Sequence, residues 1–107
     1  MAMTYPQQQD ALNMTPASYY HVTGFVTEVI KVGPGHLCRV TVNHPSGNNG
    51  IVTLYDAITA DPNRIIAVID MGKAAPGSME FSCDFLCGLT VTQTGDGGTG
   101  DITVVYA

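Results

Sequence analysis

Three cysteines, three histidines and one glycine-aspartate loop are the residues of this 107-residue chain whose types could do chemistry. Cys83 and Cys87 stand four residues apart, with no histidine at a zinc-finger spacing. In an extended strand their Cα atoms would lie about 13 Å apart, beyond the reach of a disulfide. Cys38 and Cys83 fall on the apolar side of their alternating segments, where a small buried thiol is expected. A Cys38–Cys83 bridge and an intersubunit bridge through Cys87 stay open as alternatives. His21, His36 and His44 lie at strand ends or beside turns, and no two occupy alternate positions of one strand as chelation would need. Ser, His and Asp are all present, but no nucleophile elbow surrounds any serine. The segment GDGGTGD, Gly95 to Asp101, is a single copy without calcium-loop spacing, and reads as a hairpin tip. These residues predict neither catalysis nor a cofactor nor a metal.

The elements that must position them are strands. Cys38, Val40 and Val42 alternate with Arg39, Thr41 and Asn43; Val52 and Leu54 alternate with Ile51, Thr53 and Tyr55. Period-two alternation marks a sheet with one wet face. The linking His44-Pro45-Ser46-Gly47-Asn48-Asn49-Gly50 is turn chemistry, so the two runs read as a hairpin on which other strands pack. Ser18 to Val32 reads as one long strand or two broken near Gly24, and Gly33-Pro34-Gly35 as a turn. The apolar run Ile65-Ile66-Ala67-Val68-Ile69 suits a strand buried on both faces, or a subunit interface. Met79, Phe81, Cys83 and Phe85 alternate with Glu80, Ser82 and Asp84, an amphipathic strand whose aromatic face should fill the core centre. Leu86-Cys87-Gly88 breaks that pattern and predicts a bulge or tight bend. Ile102, Val104 and Tyr106 share one face of a closing strand.

These elements predict one all-β domain, an antiparallel β-sandwich of about seven short strands, immunoglobulin-like or jelly-roll-like, over residues 18–107. Residues 1–17, with Pro6, Pro16 and Gln7-Gln8-Gln9, lack periodicity and read as a flexible N-terminal arm, either a disordered end or a segment that orders only against a neighbouring subunit. The formal charge of −5, with only Lys31, Arg39, Arg64 and Lys73 as basic residues, argues against a nucleic-acid partner. No apolar run has the length of a membrane-spanning helix, and the first residues lack the basic and apolar regions of a secretory signal, so folding in a reducing cytosol is expected.

The unit GPGHLCRVTVNHPSGNNGIVTLYDA (Gly33 to Ala57), then RIIAVID (Arg64 to Asp70), FxxGLTV (Phe85 to Val91) and the terminal DITVVY together resemble small β-sandwich accessory proteins of tailed-bacteriophage virions, of the capsid decoration (cement) or head-fibre type. The resemblance covers Gly24 to Tyr106 and departs at the cysteines and histidines. It implies a non-catalytic virion protein that forms homo-oligomers, often trimers, and binds the major capsid protein or other virion proteins. Interface residues expected on that reading are Tyr5, Tyr19, Tyr20 and Phe25 beside the arm, and Ile65 and Ile66 at a subunit contact. The alternative is a carbohydrate-binding or host-attachment module of a fibre or tail component, with Tyr55 as the ring on which a sugar stacks.

Overall fold

In a computed structural model the structure describes residues 17–24, 26–45, 50–73, 75–95 and 100–107. Eight strands follow one another: β1 (Ser18–Thr23), β2 (Val26–Val32), β3 (Gly35–His44), β4 (Ile51–Tyr55), β5 (Ile65–Asp70), β6 (Gly77–Phe85), β7 (Gly88–Thr94) and β8 (Asp101–Tyr106). They form two four-stranded antiparallel sheets, ordered β1-β8-β3-β6 and β2-β7-β4-β5. The expected sandwich is therefore present, with eight strands rather than seven. Its neighbours are those made by folding one long antiparallel ribbon on itself: β1 with β8, β2 with β7, β3 with β6 and β4 with β5. That order is a jelly roll, and it decides against the immunoglobulin-like alternative.

The expected hairpin of residues 37–56 does not exist. β3 and β4 belong to different sheets, so the strands that flank this segment do not pair with each other. Only β4 and β5 are both consecutive and paired. Turn residues signal a change of direction, but not whether the next strand pairs with the last or faces it. The break at Gly24, where φ is 78°, separates β1 from β2 and likewise changes sheets. The bend at Leu86-Cys87 does the same between β6 and β7.

The core lies between the sheets. Val22, Leu37, Val40, Val42, Phe85, Ile102 and Val104 come from the first sheet; Val52, Leu54, Ile69, Leu89 and Val91 come from the second. Each larger side chain buried here contributes on the order of 2 kcal/mol. The alternation in β3 is shifted by a bulge between Leu37 and Arg39. Leu37 takes the core position expected for Cys38, and Cys38 is only half-buried. Cys83, paired with Leu37, does pack against the core. Opposite the same bulge, Phe81 and Ser82 are both unpaired, and Ser82 adopts a φ of 48°.

Two strands are less buried than their sequences suggest, for a topological reason. β5 and β6 are edges of their sheets. In β6 only Phe85 is fully buried, while Met79, Phe81 and Cys83 pack at the margin. In β5 only Ile69 is buried, and Ile65 and Val68 are exposed. Among the described residues, the unbroken apolar run of β5 is thus not covered on both faces.

Candidate functional site

Each end of the sandwich is held shut by one side chain. At the end formed by the β2–β3, β4–β5 and β6–β7 connections, the Asp56 carboxylate accepts the backbone amide of Leu86 at 3.0 Å and of Cys87 at 2.8 Å. Arg64 donates from Nε to the Asp56 carbonyl at 2.6 Å and approaches the carboxylate through Nη2 at 3.4 Å. Burial alone would push the Asp56 carboxyl up. The amides of Cys87, Leu86 and Gly88, and then the Arg64 charge, outweigh it and hold the group below the usual carboxylate range. Thr90 Oγ1 adds a hydrogen bond to the Ala57 carbonyl at 2.6 Å.

At the opposite end Gln93, fully buried, donates from Nε2 to the carbonyls of Gly24 at 2.7 Å and Gly100 at 3.1 Å, and accepts the Gly100 amide at 2.9 Å. Neither Asp56 nor Gln93 stood out in the sequence. The only available signal was a polar residue next to, or inside, an apolar run: Asp56 after IVTLY, and Gln93 after GLTVT.

The Asp56 end exposes apolar side chains. Val32 is 74% exposed, Leu86 71% and Ile58 53%. Gly88 pairs with Val32 and has the Ile58 side chain against its backbone; a Cβ there would stand 2.9 Å from Ile58 Cγ2 and 2.8 Å from the Lys31 carbonyl, and Leu86 lies two residues earlier in the same bend. Cys87 is also exposed here. Both ends of the described chain reach this region, because Ser18 pairs with Tyr106 and the Ala107 amide and carbonyl both bond to His36.

The outer face of the first sheet is polar. His21 bonds Asp101, whose Oδ1 also accepts Asn43 Nδ2 at 3.0 Å; Asn43 donates to Thr103 Oγ1 at 2.9 Å as well. The Asn43 hydrogen bond leads the effects that hold the Asp101 carboxyl low; burial opposes it, and His21 and His44 add to it. His36 Nδ1 pairs with Asp84 across β3 and β6 at 2.7 Å, and Thr41 with Ser78 at 2.9 Å. These are cross-strand pairs of a sheet surface. Among the described residues no group of three or more His, Cys, Asp or Glu stands where it could hold a metal ion. All three cysteines are free, and burial, then the charges of Asp84 and Asp56, push the Cys83 thiol up, which keeps it protonated and unreactive.

The residues expected at interfaces fall as follows. Tyr5 and Phe25 lie outside the described residues. Tyr19 is exposed on the outer face of β1, whereas Tyr20 turns inward and packs on the core. Burial first, then the Glu28 charge, raise the Tyr20 hydroxyl above its ordinary value. Ile65 and Ile66 sit on β5, at the edge away from β1 and β2. Tyr55 is half-buried on the outer face of the second sheet, its hydroxyl 3.5 Å from Thr92 Oγ1. GDGGTGD is only partly described: its last residue is the Asp101 of the polar network, and Asp96 lies outside.

What the fold defines is a jelly-roll β-sandwich with an apolar end. No family model matches the chain, and no similar curated protein or solved structure was found.

Proposed function

We propose that this chain is a structural protein of a bacteriophage virion, a decoration or cement protein that adheres to the head through protein–protein contacts. The observation that carries the reading is the exposed apolar end, Val32, Ile58 and Leu86, set on a rigid base by Asp56. Large apolar side chains left exposed at one end of a fold are a feature of protein-binding surfaces. Jelly rolls recur in viral shells, which is consistent with the reading but is an argument from fold alone. The sequence resemblance points the same way. The mechanism is adhesive: apolar burial at the end of the sandwich, repeated over many copies so that modest contacts add through avidity.

The carbohydrate reading draws less support, because Tyr55 is half-buried beside threonines that are themselves covered: Thr53, Thr90 and Thr92.

The test is labelling and binding on particles. Antibodies to the chain should decorate the heads of intact phage, and purified chain should bind heads stripped of it. Leu86→Asp should weaken that binding at least tenfold, with an unchanged circular dichroism spectrum. Antibody on tail fibres alone, or a Leu86→Asp chain that binds heads as the parent does, would sink the proposal.

A further inference from the structure

We infer that β5 is a self-pairing edge: two copies of this chain join antiparallel along it, extending the second sheet across a two-fold axis. The inference does not rest on the virion reading.

A sheet edge presents unpaired amides and carbonyls, and folded proteins block such edges with charges, bulges or neighbouring structure. Three of the four edges here are blocked. β6 carries Glu80 and Asp84 and is kinked where Phe81 and Ser82 bulge. β2 carries Glu28 and Lys31 and shifts register between Val29 and Lys31. β1 lies against β2 across the sandwich. The fourth edge, β5, has no charge between Arg64 and Asp70. Its irregularity falls at Ile66, near its start, and leaves Ala67 to Asp70 in regular pairing with β4. Ile65 and Val68 are exposed along it, Val68 to 58%.

The charges at its two ends select the partner. An antiparallel pair centred on Ala67 sets Arg64 of each copy opposite Asp70 of the other, so the same attraction is made twice. Both groups have capacity to spare. Arg64 meets Asp56 through Nε and Nη2, leaving Nη1; Asp70 accepts the Gly72 amide at 3.0 Å through Oδ1, leaving Oδ2. A parallel arrangement would set like charges side by side. Basic start, apolar middle and acidic end make the strand complementary to itself in one direction only. Such an isologous contact closes at two copies.

Light scattering on the full chain over a wide concentration range tests the pairing. The parent should reach the mass of two chains. Val68→Lys places a charge at the centre of the contact and should halve that mass, with an unchanged circular dichroism spectrum and melting temperature; Val68→Thr should keep it. Amide exchange on the parent gives a second reading that needs no variant: Ile66 to Ile69 should become more protected as concentration rises. A parent that stays at one chain, an odd number of chains, a Val68→Lys mass equal to the parent's, or β5 protection independent of concentration would each overturn the inference. None of these outcomes bears on head binding, so the two proposals fail separately.

Discussion

Asp56 does at one end of the sandwich what no apolar residue could. The bend between β6 and β7 points its amides at one spot, and the carboxylate satisfies them where turns would otherwise bury unpaired donors. Asp56→Ala should therefore destabilise the fold by about 2 kcal/mol, the range for hydrogen bonds to a charged group. Urea unfolding would read it as a lower midpoint at constant slope. The pH dependence has a definite sign. The folded pKa of Asp56 lies below the ordinary value of 3.8. Its contribution is thus fully present above the unfolded pKa and is lost as pH falls through the folded one. Stability should drop below about pH 4, and the drop should be smaller in Asp56→Asn. Equal acid sensitivity in both proteins would remove Asp56 from this role. The sequence hides the site because the donors lie thirty residues downstream of the acceptor.

At the scale of the elements, strand existence was legible and strand neighbours were not. Alternation in Met79 to Phe85 and in Ile102 to Tyr106 reflects which side chains face the core, and the structure places them so. The same patterns say nothing about which strand lies alongside, because every strand of a sandwich offers one apolar face. The bulge at Cys38 adds a local limit: one extra residue reverses the inward positions, so Leu37 rather than Cys38 entered the core. Gln93 shows the complement, a polar residue at an inward position that ties two sheet-crossing connections together. Gln93→Leu should leave those backbone groups unpaired and cost at least about 2 kcal/mol. Loss of amide-exchange protection at Gly100 would identify the cause; retained protection would contradict it.

Across the whole molecule, close packing at the ends matters as much as the core. Gly35 starts β3 beneath the Phe85 ring and beside the chain end, where a Cβ would stand 2.5 Å from the Ala107 carbonyl and 2.6 Å from Phe85 Cζ. Gly35→Ala should cost about 1–3 kcal/mol by overpacking, seen as a lower melting temperature. A wild-type melting temperature would show that the terminal strand yields without strain. The same end carries the exposed Val32, Ile58 and Leu86; the other large apolar side chains exposed among the described residues are Tyr19 on β1, Val29 on β2 and Ile65 and Val68 on β5.

By itself the sequence determined that this protein is built of strands, that one sandwich holds them, and where the chain turns, because alternation, β-branched residues and Gly-Pro-Asn segments act over a few residues. The tertiary structure alone decided that β3 and β4 fall in different sheets, that the order is a jelly roll, and that Asp56 and Gln93 close the two ends. Those features depend on pairing and packing between residues far apart in the chain, and no local pattern records a distant neighbour.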